Sequence, residues 1–81
     1  MIGTHVSLER SRVTRHILLA TDCLFNSVTG KYQITHALFG PEQDTSKPYT
    51  KTEWTPGTLQ EGKRVGRQAH RAELKKLKVR A

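Results

Sequence analysis

This 81-residue chain predicts an α+β domain: a small antiparallel β-meander or partly open barrel of three to four strands, followed by a basic C-terminal helix. Three observations point there. Tyr32, Ile34, His36 and Leu38 alternate with Lys31, Gln33, Thr35 and Ala37, the period of a half-buried strand. The preceding Asn26-Ser27-Val28-Thr29-Gly30 is turn chemistry, which invites a hairpin partner upstream. Lastly, Arg64, Arg67, Arg71, Lys75 and Lys78 recur at i, i+3, i+7, i+11 and i+14, within an arc of about 80° on a helix.

The elements follow in order. Residues 1–12 are mixed, but His5-Val6-Ser7-Leu8-Glu9-Arg10 alternates in the manner of a short strand. Val13 to Phe25 carries two signals. Val13, Ile17, Ala20 and Leu24 would share one helical face, while Val13, Thr14, Ile17, Thr21 and Phe25 are β-branched or aromatic and favour a strand. The turn and strand that follow tip residues 15–25 toward a strand. A helix there would give the alternative architecture, helix–β-hairpin–helix, with Arg12 and Arg15 on a second basic face. Gly40-Pro41 ends the next strand, and Pro41 to Pro48 reads as an exposed loop. Tyr49-Thr50-Lys51-Thr52-Glu53-Trp54-Thr55 alternates again, and Pro56-Gly57 breaks it. A β-rich body over 1–57 and a basic helical segment over 58–81 result. Gly62 and Gly66 cost the helix up to about 1 kcal/mol each relative to Ala, so its expected start in the free protein lies near Arg67.

Size and composition bound the interior. A chain this short buries only about 60–65% of its unfolded surface. Its apolar content of 35% is low. The core is therefore thin, drawn mostly from Ile17 to Phe39 with Tyr49, Trp54 and Leu59, and Trp54 and Phe39 are expected inside. Cys23 is the sole cysteine, which removes any intramolecular disulfide and favours a reducing compartment. The longest apolar run, Ile17 to Ala20, falls far short of the roughly 20 residues of a membrane span. The N-terminus lacks the apolar stretch of a secretory signal. The expectation is a soluble, intracellular protein of the cytoplasm or an equivalent compartment, with no membrane partner.

Charge is the most directional feature. From Met1 to Glu61 six basic residues are matched by six acids. From Gly62 onward eight basic residues face Glu73 alone, and this segment carries the entire net charge of +7. A neutral body with a cationic end points to a densely anionic partner, nucleic acid above all, RNA or DNA. The candidate phosphate contacts are Arg64, Arg67, Arg71, Lys75 and Lys78, with Lys63 beside them. Guanidinium pairs with phosphate through two hydrogen bonds and also stacks on bases. The competing reading is a solvated helix face, the ordinary fate of a charge run. A membrane-surface helix is disfavoured, because the apolar side offers Val65, Ala69 and Ala72 without an aromatic anchor. Gly62-Lys63-Arg64-Val65-Gly66-Arg67-Gln68-Ala69-His70-Arg71 resembles, in composition, the arginine-rich peptides that bind RNA hairpins in viral and phage antitermination factors. That resemblance implies RNA as the partner.

Chemistry-bearing clusters are sparse. His5, His16, His36, His70 and Cys23 show none of the pairwise spacings of zinc sites, so neither a metal nor another cofactor is expected. His16 and His36 are candidates to meet across a hairpin, near Asp22 and Cys23, as half-buried strand residues. Thr29-Gly30-Lys31 echoes the end of a phosphate-binding loop, but Phe25 stands where its first glycine belongs and Tyr32 replaces Ser/Thr. It reads as a hairpin turn. Tyr49, flanked by Lys47 and Lys51, is the aromatic best placed to touch a ligand. No acid, base and nucleophile converge, so the expected function is non-enzymatic: a small nucleic-acid-binding or ribonucleoprotein-associated regulatory factor. The alternative is a protein-interaction module, a small inhibitor or assembly subunit. It would dock a larger complex by strand addition at Lys31 to Phe39 or Tyr49 to Thr55.

Overall fold

Two short connections set the topology. Residues 13–17 join the first strand to the second and residues 27–30 the second to the third, too short for a crossover, so the strands pair antiparallel. The structure, a computed structural model, describes residues 3–41 and 48–80, with Arg80 described by its backbone alone. Strand β1 spans Gly3–Arg12, β2 Leu18–Asn26, β3 Lys31–Phe39, β4 Thr50–Lys51 and β5 Thr55–Pro56; helix α1 spans Leu59–Arg80. The order is β1-β2-β3-β4, with β5 also pairing with β3. The expected meander followed by a helix is what forms, and the sheet does not close into a barrel.

Residues 15–25 resolve in favour of the strand. The chain turns at 13–17, where Val13 N donates to Ile17 O at 2.8 Å, and β2 then pairs on both sides. Its central position satisfies its backbone groups from two neighbours, which outweighs the partial helical spacing. At the next turn Asn26 Oδ1 accepts from Val28 N and Thr29 N, and Gly30 takes a φ of 67°, as a tight hairpin requires. Of the expected loop from Pro41 to Pro48, residues 42–47 lie outside the described residues. The Tyr49–Thr55 strand shortens to two bridges because Thr52 leaves the regular ladder. Its Oγ1 accepts from Ile34 N at 3.0 Å while its own N donates to Ile34 O at 3.0 Å.

Helix α1 covers one face of the sheet. Cys23, Tyr32 and Ile34 form the buried cluster, with Leu8, Phe25, Leu59, Val65 and Ala69 packed around it. Trp54, expected inside, is 44% exposed; it lies between the two bridges, beyond the cover of the helix. Phe39 is half-buried. It pairs with Leu18, and both alternate out of register with the helix-facing Leu19, so they occupy the other face. Tyr49 is likewise 43% exposed. In β1 the pairing register slips between Ser7 and Glu9, and the extra residue, Leu8, reaches toward α1.

The helix begins at Leu59 and not near Arg67. Thr58 Oγ1 accepts from Glu61 N at 3.1 Å, and the Thr58-x-x-Glu61 spacing is that of a capping box. The two glycines are points of contact. A Cβ on Gly62 would stand 2.8 Å from Cys23 Sγ and 3.0 Å from Tyr32 Cγ; one on Gly66 would run into Leu8 Cδ1. Their propensity cost is offset by the close packing they permit. Gly62→Ala should therefore lower stability by about 1–2 kcal/mol in urea unfolding, although Ala is the better helix former. In a Cys23→Ala background, which removes Sγ, the same change should cost less. A stabilised Gly62→Ala protein would show that this glycine does not set the helix–sheet distance.

Candidate functional site

The buried positions of α1 are Gly62, Gly66 and His70, at i, i+4 and i+8. Arg64, Arg67, Arg71, Lys75 and Lys78 are all exposed. Their mean direction lies roughly 140° around the helix axis from the buried column, and they run about 21 Å along it. None of the five is ion-paired among the described residues. Glu73, the segment's single acid, is turned from the ridge: its Oε1 accepts from Tyr49 O–H at the sheet edge. Burial first, then Glu73, push the Tyr49 hydroxyl far above the usual phenol range, so it stays a donor. The aromatic singled out as a ligand contact is thus engaged with the helix.

Lys63 stands apart from the ridge. It is half-buried beside the packed face, and its charge is felt at Cys23. That thiol is fully buried, and burial raises its pKa with Lys63 opposing, which keeps it protonated and unreactive. Toward the helix end, Arg71, Leu74, Lys75, Lys78 and Val79 line a shallow depression, with Val79 exposed. Guanidinium, ammonium and apolar atoms meet there on one surface.

Beneath the helix is a polar cluster that the spacing of the histidines did not reveal. Thr21 Oγ1, fully buried, lies 2.7 Å from Nδ1 of His36 and 2.7 Å from Nδ1 of His70. His70 Nε2 is 2.8 Å from Ser11 Oγ and 3.8 Å from Glu9 Oε2. The chain Ser11–His70–Thr21–His36 thus joins β1, β2, β3 and α1. Burial lowers the pKa of both imidazoles. Glu73 opposes this at His36, where His70 adds to the depression, and Glu9 opposes it at His70. The expected meeting of His16 with His36 does not occur. His16 is exposed in the 13–17 turn; His36 instead shares the Thr21 hydroxyl with His70, 34 positions along the chain and legible only through the fold.

The cluster suits adhesion. Its hydroxyl and both imidazoles are buried away from any substrate, and each finds a partner within the fold. On the other face of the sheet, His5 Nε2 donates to Asp22 Oδ2 at 2.9 Å. Among the described residues no three His, Cys, Asp or Glu gather as a metal would require. No helix among them is long and apolar enough to cross a membrane. Compared with protein-family models, curated proteins and solved structures, the chain matches none.

Thr21→Val keeps the shape of the side chain and strands two buried ring nitrogens. It should cost about 2–4 kcal/mol in thermal or urea unfolding. Thr21→Ser, which keeps the hydroxyl, should cost less. A loss in Thr21→Val no larger than in Thr21→Ser would show that the hydrogen-bond chain holds the helix here no more firmly than the packing of one methyl.

Proposed function

We propose that this protein is a non-enzymatic nucleic-acid-binding factor that grips phosphates through the outer side of α1. The single observation that carries this reading is the solvent-facing ridge Arg64, Arg67, Arg71, Lys75 and Lys78, with Glu73 held away from it. A helix already formed and fixed to a sheet presents its cations in one line. Successive phosphates of RNA or DNA are the polyanion that such a line meets best. The depression at Arg71, Leu74, Lys75, Lys78 and Val79 adds apolar surface on which a sugar or base edge can rest. Lys63 contributes to the local field and not to the ridge.

A second reading rests on a different feature. Lys31 to Phe39 is an interior strand, with β4 and β5 on its far side, and Tyr49 to Thr55 offers only those two-residue strands at that end of the sheet. The long strand without an outer partner among the described residues is β1, Gly3–Arg12. Strand addition by a protein partner would take place there, with α1 then meeting an acidic patch or the nucleic acid of the same complex.

Truncation at Glu61 is a poor control, because it uncovers Cys23, Tyr32 and Ile34; the test belongs on the exposed ridge. Binding to duplex DNA and to structured RNA is titrated with salt. Five phosphate contacts give a log–log slope of about −4 to −5 on duplex. Arg67→Ala with Arg71→Ala should flatten the slope by about 2 and leave the fold intact. Full affinity in that double variant would overturn the ridge as the binding surface. A stoichiometric protein partner retained after nuclease treatment would favour the β1 reading instead.

A further inference from the structure

The helix is held by two kinds of contact at its two ends. Through Ala69 it packs on the apolar cluster of Cys23, Tyr32, Ile34, Leu8 and Phe25. From His70 onward its side-chain hydrogen bonds to the rest of the fold are polar: His70 to Thr21 and Ser11, and Glu73 to Tyr49. Leu74 and Leu77 are only half-buried.

Proton counting limits what the polar end tolerates. Thr21 has one hydrogen to donate, and two ring nitrogens face its oxygen. With both imidazoles neutral the chain closes in either direction. In one, Ser11 O–H donates to His70 Nε2, His70 Nδ1–H to Thr21, and Thr21 O–H to His36 Nδ1. In the other, every donor is reversed. One added proton on His70 is also accommodated: Nδ1–H donates to Thr21, Nε2–H points to Ser11 and Glu9, and His36 stays an acceptor. A second proton is not. Both Nδ1–H groups would then occupy the two lone pairs of Thr21 Oγ1, the Thr21 hydrogen would lose its acceptor, and two cations would share a buried site.

We propose that the C-terminal half of α1, residues 70–80, is an acid-released arm, detached when His36 and His70 are both protonated while the N-terminal half stays on the sheet. The charged and titratable groups facing this pair are Glu9 from β1, Glu73 from α1 and Tyr49 ahead of β4. The two carboxylates favour the first proton, but neither is bonded to the Thr21 hydroxyl, whose hydrogen the second proton leaves without an acceptor. Both imidazoles bind protons more weakly docked than in the open. The released state therefore holds more protons, and docking, complete at pH 7.5, weakens as pH falls below about 6.5. The arm carries Arg71, Lys75, Lys76 and Lys78, so acid would alter the cationic surface itself.

Amide hydrogen exchange on the full chain tests this, read as protection factors between pH 7.5 and pH 5. Residues 70–80 should lose protection about ten- to hundredfold per pH unit below pH 6, one decade for each extra proton taken up on release. Residues 60–69 and β2 should hold theirs. His36→Gln, which cannot be protonated, should cut the steepness to at most tenfold per unit. If that variant does not fold, the wild-type profile alone decides. Equal loss in both halves of α1, or protection in 70–80 that ignores pH, would overturn the proposal.

Discussion

The contact of α1 with the sheet along Gly62, Gly66 and His70 is what the rest of the molecule depends on. Among the described residues α1 is the only layer over the helix-facing side of the meander, and Cys23, Tyr32 and Ile34 are shielded by nothing else as large. Two missing side chains let the helix axis come close enough for Leu8 and Tyr32 to reach its backbone. That approach fixes the opposite side of the helix as solvent. Cations there keep their hydration, whereas facing the sheet they would meet a desolvation cost of several kcal/mol each. The ridge is exposed for the same reason that the core is covered.

Polar groups inside this interface give it a register. An unsatisfied buried hydroxyl or imidazole costs about 1–3 kcal/mol, so Thr21, His36 and His70 favour only arrangements in which all three are paired. Sliding α1 by one residue, about 1.5 Å, would carry His70 away from both Thr21 and Ser11. Apolar contact between Ala69, Val65 and the sheet tolerates such a shift; the hydrogen bonds do not. The apolar half supplies attraction and the polar half supplies position. Tyr49 and Glu73 add a tie between the helix and the edge beyond β3.

What the sequence revealed follows from how far apart the determining residues are. The Tyr32–Leu38 alternation and the Asn26–Gly30 turn are local, and both formed as read. The start of β1 was blurred because Leu8 adds one residue to the strand, which reverses the inward and outward faces partway along it. Trp54 and Tyr49 were assigned inside on residue type, but their segment makes only two-residue bridges and lies at the rim. The ridge was legible from the spacing of its cations. The packed column was not, because glycine and histidine carry no hydrophobic signal; the regular Gly62, Gly66, His70 interval was the available clue. The meeting of His36 and His70 on the Thr21 hydroxyl required the fold itself.

Five like charges at three- and four-residue intervals repel one another and weaken an isolated helix by a few tenths of a kcal/mol per neighbouring pair. Two glycines in the first turns weaken it further. Such a segment by itself would be poorly helical, like the arginine-rich peptides it resembles, which must bear an ordering cost when they bind. Here the sheet supplies the ordering in advance. Burial of Val65, Ala69 and His70 against β1, β2 and β3 holds the repelling charges in line before any partner arrives. On the proposed function, a polyanion would meet a preformed ridge, and its phosphates would relieve the repulsion that the sheet opposes. Phosphate binding of that kind and firmer docking of α1 would be linked, because each stabilises the same helical state.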